Sequence, residues 1–242
     1  MHVLGLDTST QAGSLALVEG SQLIADYLLN RPAIGGASHS RKILPAADFL
    51  LRQADLELED IDAFSAALGP GSFTGLRIGL SIMEGFSLAT GRPIVGVPTL
   101  EAMASSMVYA RQQVCPVIDA KKGEVYCALF RMEGETLRRM TEDMVLKPEP
   151  LCHLITEPTI FIGDGIRAYG DLFRSHLGKK ALFHEHFTTV SVAAQVARLA
   201  ETALRTGKAL REAKPIYIRP SEAEAKRLQR GGIAAVGYKR SE

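Results

Sequence analysis

Gly69-Pro70-Gly71-Ser72-Phe73-Thr74-Gly75-Leu76-Arg77-Ile78-Gly79 places four glycines and a proline between two apolar segments. Upstream, Ile61 to Ala67 reads as a buried strand. Downstream, Thr74 to Thr90 contains no proline and repeats apolar residues at helical spacing. The stretch is therefore strand, tight loop, helix. Such a loop can present backbone N–H groups to an anion at the helix N-terminus, where the macrodipole favours negative charge, or it can serve close packing alone. A phosphate loop needs G-x-x-x-x-G-K-[ST], and here Leu76 follows Gly75 with no lysine to reach a phosphate. A nucleophile elbow needs G-x-S-x-G, and Ser72 is flanked instead by Pro70 and Thr74.

Working outward, the chain of 242 residues can bury a substantial core in one large or two moderate domains. Lys and Arg number 28 against 27 Asp and Glu, so no global charge draws the chain to nucleic acid or to an anionic membrane. Cys115, Cys127 and Cys152 are odd in number and widely spaced, which argues against a disulfide framework and predicts reduced, mostly buried thiols. The apolar run Val3 to Leu6 stops at Asp7, unlike a signal peptide, and no apolar run approaches membrane-spanning length. The expected compartment is the cytoplasm.

Val3–Leu6, Ser14–Val18 and Leu23–Leu29 read as an antiparallel meander. A helix is predicted from about Ser40 to Ala54, with Pro45 either marking its start or kinking it. The strand at 61–67, the glycine loop, the helix, a strand at Ile94–Val97 and a helix from Pro98-Thr99 through Tyr109 complete a first unit. The plan then restarts: Val114-Cys115-Pro116-Val117-Ile118-Asp119 mirrors Val3-Leu4-Gly5-Leu6-Asp7, 112 residues later. A repeat this long predicts two related lobes, each a sheet with helices: an N-terminal lobe over 1–109 and a C-terminal lobe over 110–242. Further on, Thr159–Ile162 reads as a strand, Gly163-Asp164-Gly165 as a turn, Arg167–Leu177 and Ser191–Thr206 as helices, and Ile216–Ile218 as a strand. A charged tail helix from Glu222 is expected to pack back on the first lobe, with a mobile end after Gly231-Gly232.

Asp7, with Thr8, Ser9 and Thr10 after the first strand, has the residue types that hold a metal–phosphate group at a cleft, and equally those of an ordinary Asx-rich turn. Gly163 and Gly165 flank a second turn, at Asp164, that a kinase-like nucleotide site would use together with Asp7, whereas the turn that matches Asp7's in the second unit is at Asp119. Asp119, Lys121 and Lys122 read as a surface turn. His184 and His186 share one strand face but lack a third ligand at a convincing spacing, and His39 reads as a helix-capping surface residue. Neither H-E-x-x-H nor a Ser-His-Asp set occurs.

On a helical wheel of 74–90, Arg77, Ser81 and Glu84 fill a sector about 60° wide while apolar residues cover about 220°. A single sheet cannot cover that arc. The helix is either sandwiched between two layers or presents an apolar face to a partner, with Gly79, Gly85 and Ala89 allowing close backbone approach. The partner-facing set read from this pattern is Phe73, Leu76, Gly79, Leu80 and Met83, extended by Leu44, Phe49 and Leu51 of the preceding helix.

Leu6-Asp7-Thr8-Ser9-Thr10, Ser38-His39-Ser40-Arg41-Lys42-Ile43-Leu44-Pro45, the glycine loop through Gly79, Ile118-Asp119-Ala120-Lys121-Lys122-Gly123-Glu124-Val125-Tyr126 and Pro215-Ile216-Tyr217-Ile218-Arg219-Pro220 together resemble the bacterial TsaB family, also called YeaZ. The resemblance spans nearly the whole chain. It implies an α/β fold of the two-lobe actin, hexokinase and Hsp70 type (ASKHA). It also implies a part in forming N6-threonylcarbamoyladenosine in tRNAs that read ANN codons. The related catalytic subunit TsaD carries an H-x-x-x-H metal pair at the start of the helix after the 94–97 strand, whereas this chain has Thr99 and Met103 there. A hydroxyl and a thioether are poor ligands for iron or zinc. The resemblance thus implies a non-catalytic scaffold that binds TsaD through its first-lobe helices, with the ATPase TsaE as third member and self-association when alone. On this view tRNA is reached only indirectly, no metal or cofactor is held by the chain itself, and ATP or ADP enters only at the level of the complex. Two rivals are a sugar-kinase-like phosphotransferase using Asp7, Thr8 and the Gly163–Gly165 turn, and a metallopeptidase, which meets the same missing ligands.

Overall fold

The first strand shows how alternation builds the molecule. In the computed structural model, which describes residues 1–20, 22–29, 38–183, 191–207 and 213–219 (backbone alone for 38–41), β1 (His2–Asp7) is central in a five-stranded sheet. Its even residues Leu4 and Leu6 pack under helices on one face, while Val3 faces the other. Gly5 shares that second face because a Cβ there would lie 2.5 Å from the Ala193 carbonyl oxygen of the helix crossing it. The sheet comprises β2 (Gly13–Glu19), β3 (Gln22–Leu29), β4 (Ala63–Ala67) and β5 (Ile94–Val97), in the order β3-β2-β1-β4-β5. β1 is antiparallel to β2 and parallel to β4, and β4 is parallel to β5.

Three helices belong to this half of the sequence. α1 (Ser38–Gln53) runs through Pro45 and buries Ile43, Ala47 and Leu50, while α2 (Phe73–Thr90) lies beside it on the same sheet face. α3 (Thr99–Ser105) stops short of the predicted Tyr109. The Ser105 and Ser106 hydroxyls donate to the carbonyls of Ala102 and Met103 at 2.8 and 2.6 Å, competing with the helix ladder, and Tyr109 turns to φ 69°.

The second half repeats the winding. β6 (Gln113–Lys121), β7 (Glu124–Cys127), β8 (Phe130–Glu133), β9 (Thr136–Arg139), β10 (Met144–Leu146), β11 (Thr159–Ile162) and β12 (Ala181–Phe183) form one sheet with the path β10-β7-β6-β11-β12. As in the first sheet, the leading strand is antiparallel to the next and parallel to the strand after the crossover. α4 (Pro148–Leu154) and α5 (Gly165–Leu177) cover one face over a core of Cys115, Val117, Cys127, Phe161 and Phe173. All three cysteines are buried free thiols.

α6 (Val192–Thr206) crosses back to pack on β1, β2 and β4, so this stretch beyond residue 110 sits with the first sheet. α3 and α6 lie against each other between the two sheets, α3 adding Leu100, Met103 and Ala104 to the second sheet's inner face. Ile216–Ile218 joins no ladder; the segment around it instead straps the two halves together. The predicted tail helix from Glu222, the Gly231-Gly232 end, His184 and His186 lie outside the described residues, as does the His39 side chain. No helix among the described residues is long and apolar enough to cross a membrane.

Candidate functional site

The glycine loop is built to sit down on the turn after β1. A Cβ on Gly71 would meet the Ser9 carbonyl oxygen at 2.3 Å, one on Gly75 the Thr8 carbonyl oxygen at 2.0 Å, and one on Gly79 the Thr8 hydroxyl at 2.3 Å. The Ser72 N–H donates to the Ser9 carbonyl at 2.6 Å, and the Thr8 hydroxyl donates to the Gly75 carbonyl at 2.7 Å. Ser72 caps α2, its hydroxyl accepting the Gly75 N–H at 3.2 Å. Two N–H groups that an anion would need, those of Ser72 and Gly75, are thus engaged within the chain.

These contacts decide which side of α2 faces inward. Gly75 and Gly79 touch the β1 turn, so the neighbouring positions Leu76, Leu80 and Met83 enter the core, where all three are buried. Each contributes about 1.5–3 kcal/mol by burial. Leu76, Gly79, Leu80 and Met83 are therefore not partner-facing, contrary to the wheel reading. Leu51 is also buried, held over the core where α1 ends. Phe73 is half-buried against Tyr217, with ring centroids 4.7 Å apart. Leu44 and Phe49 do point outward, at 50% and 59% exposure, and Leu88 of α2, missed by the sequence reading, is 85% exposed. Gly85 has nothing within 4 Å of a built Cβ. The glycine contacts are the signal that could have found this: a helix that needs two glycines four apart needs them on its closest-packed side.

Between the lobes lies a cleft of about 400 Å³, bordered by Ser9, Thr10, the Pro70–Phe73 loop, Asp119, Lys121 and Asp164. A separate cavity of about 40 Å³ shares Thr10 and Asp164 with it and is also lined by Asp7, Met103 and Gly163. Asp7 is buried, and its Oδ1 accepts the Ser9 N–H at 2.9 Å, an Asx turn. Burial pushes its carboxyl up to about 6, and the charge of Asp164 adds to the rise. Asp164 is likewise raised, mainly by burial and further by Asp119, although its Oδ1 accepts the Asp119 N–H at 3.1 Å. Lys121 Nζ is 2.6 Å from Asp119 Oδ2, and this bond lifts the lysine pKa. Gly163, at φ 105°, and Gly165 approach the Val117 carbonyl of β6, where a Cβ would fall 2.3 and 3.1 Å away. Of the four cleft candidates, Asp7 and Thr8 fasten the first turn, and Gly163 and Gly165 fasten α5 to β6.

The donors do not fit a metal of the kind an imidazole pair holds. Thr99 is buried, its hydroxyl accepting the Gly69 N–H at 3.0 Å while its own N–H donates to the Gly69 carbonyl at 2.8 Å. Met103 is buried, with its methyl packed towards Gly163. Among the described residues, no group of three or more His, Cys, Asp or Glu side chains is placed to hold a metal ion.

Ile216 to Arg219 border the cleft. The Ile216 N–H donates to the Leu68 carbonyl at 2.7 Å, and Arg77 Nε donates to the Tyr217 hydroxyl at 3.0 Å, its guanidinium lying 4.1 Å from the Phe73 ring centroid. On the far lobe, Arg219 reaches Glu124 at 2.7 Å and the Ala120 carbonyl at 3.0 Å. One short segment thus grips the start of α2 and the β6–β7 turn together.

The YeaZ structure from Pseudomonas aeruginosa superposes with a TM-score of 0.72 at 27% identity, over 89% of this chain and 99% of that one. The ethanolamine utilization protein EutJ from Carboxydothermus hydrogenoformans shares the fold at a TM-score of 0.51 and 12% identity, over 82% of this chain and 89% of its own. Two sheets wound in the same order about a cleft define a two-lobe α/β protein of the actin, hexokinase and Hsp70 type. The pattern of the family TsaD, tRNA N6-adenosine threonylcarbamoyltransferase, matches residues 23–235, and the tRNA threonylcarbamoyladenosine biosynthesis protein TsaB of Escherichia coli is 31% identical over 92% of this chain and 96% of its own. The chain belongs to the TsaB family, a relative of the transferase TsaD.

Proposed function

We propose that the chain serves tRNA threonylcarbamoyladenosine formation as a non-catalytic subunit, docking a TsaD-type catalytic partner through the outer face of α1 and α2. One observation carries the reading: Thr99 and Met103, at the positions where the resemblance to TsaD would put its imidazoles, are buried packing residues, while Leu44, Phe49 and Leu88 stand exposed on the helix pair. Apolar patches of that kind mark protein contacts. Gly85 on the same helix leaves room for a second backbone. The chain holds no nucleotide of its own in this reading. Asp119 and Asp164 line the cleft with carboxylates, the cationic Lys121 is bound to Asp119, and the strap occupies the mouth. ATP or ADP acts in the complex with TsaD and the ATPase TsaE, and tRNA is engaged by the partner. A copy of the chain covers the same helices when no partner is present.

The test is co-purification with a TsaD-type subunit. Phe49→Asp and Leu88→Asp are expected to keep the native melting temperature and lose the partner, with loss of threonylcarbamoyladenosine formation. Normal complex formation by the double variant would overturn the reading.

A further inference from the structure

Beside the helix pair, the first lobe carries charge of one sign around an apolar floor. α1 ends with Asp55 in the left-handed region at φ 54°, and the Leu56 N–H turns back to the Leu51 carbonyl at 3.0 Å. The chain then reads Asp55-Leu56-Glu57-Leu58-Glu59. Leu56 and Leu58 are half-buried against the core, and Asp55, Glu57 and Glu59 are exposed. With Leu44 and Leu51 of α1 and Phe86 of α2, they line a groove of about 730 Å³.

The charges on its rim do not cancel. Among the described residues that line the groove, Arg52 is the one cation, and Asp48 holds it at 3.0 Å. No ion pair between described residues reaches Asp55, Glu57 or Glu59. Asp60, just beyond, is committed to the Glu57 N–H at 2.8 Å.

We propose that this groove receives a segment of the catalytic partner that carries apolar anchors flanked by Lys or Arg. The proposal rests on the docking reading above and adds the chemistry of the partner's contact. Leucine- or phenylalanine-type anchors fill the floor made by Leu51, Leu56, Leu58 and Phe86, and flanking cations meet the three carboxylates, which pair with no cation among the described residues although Glu57 also closes a capping box with Asp60. A neutral segment would desolvate those carboxylates without pairing them. A second copy seated on the outer helix face would bring acid towards acid at this groove, so charge favours a cationic partner and lets it displace the copy. Complementary charge outside the apolar contact acts mainly on the rate of encounter and on its salt dependence.

The experiment compares association rates with the purified TsaD-type subunit at about 0.05 M and about 0.5 M salt, where the screening length shortens severalfold. The native chain is expected to associate roughly tenfold faster at low salt, and Glu57→Lys/Glu59→Lys to lose that advantage, giving a slow rate nearly independent of salt. Glu57→Gln/Glu59→Gln should fall between. Circular dichroism melts check that the surface variants stay folded. An unchanged rate and salt slope in the Lys variant would overturn the groove proposal. If Leu88→Asp, outside the groove, still abolishes the complex in that case, the docking reading stands without it. If Leu88→Asp also binds normally, both fail.

Discussion

Two glycines on one helix have opposite roles. Gly79 lets α2 touch the Thr8 hydroxyl, so Gly79→Ala forces a Cβ into a 2.3 Å contact and breaks the bond from Thr8 to the Gly75 carbonyl. A loss of about 1–3 kcal/mol is expected in urea unfolding. Gly85 faces open space, so Gly85→Ala should stabilise the free chain by about 0.5–1 kcal/mol through helix propensity while weakening partner docking. A variant that is both more stable and undiminished in binding would show that no second backbone approaches there. Asp7 supplies the pH dependence. Its folded carboxyl titrates at about 6 against 3.8 for an ordinary aspartate, so the native state holds the proton more tightly and stability falls as pH rises through that window. Asp7→Asn keeps an acceptor for the Ser9 N–H and removes the ionisation. Its stability relative to the native chain should therefore rise between pH 4 and pH 7 by on the order of 2–3 kcal/mol. A difference that stays flat over this range would contradict the burial argument.

At the scale of elements, the sequence makes most of the plan legible because its periods are strong. Val3–Leu6 and Val114–Asp119 alternate or run apolar as buried strands do, and the repeat between them follows from like turns at like distances. The short β9, β10 and β12 and the seven-residue α4 are absent from the reading, being too brief for a period to emerge. For α2 the wheel identifies more apolar surface than one sheet can cover but cannot say which half is covered. That depends on Thr8 and Ser9, more than sixty residues upstream. The consequence is testable: Met83→Asp and Leu80→Asp should unfold the first lobe, whereas Leu88→Asp should not. Far-UV circular dichroism at room temperature separates the two outcomes, and a folded Met83→Asp protein would contradict the assignment of faces.

Across the whole molecule, the strap is the feature that sequence reasoning could least supply. Ile216–Ile218 has the composition of a strand, yet Ile216 and Tyr217 partner Leu68, Phe73 and Arg77 on one lobe, and the next residue, Arg219, reaches Ala120 and Glu124 on the other. Contacts so distant along the chain leave no local pattern. Because the Arg219–Glu124 pair is about one-third exposed on both sides, it contributes only about 1 kcal/mol or less to stability. Its effect is on lobe coupling. Arg219→Ala is expected to speed amide exchange in the β6–β7 turn with little change in melting temperature, and unchanged exchange there would count against a clamp. The proposed reading is that an enzyme fold persists here in a non-catalytic chain, with Thr99 and Met103 buried as packing residues. The most direct measurement is threonylcarbamoyladenosine formed on tRNA by three preparations: this chain alone, the TsaD-type subunit with TsaE, and all three together with ATP and the threonylcarbamoyl donor. The account predicts no product from the chain alone and strong dependence of the mixture on its presence. Product formed by this chain without the TsaD-type subunit would contradict it.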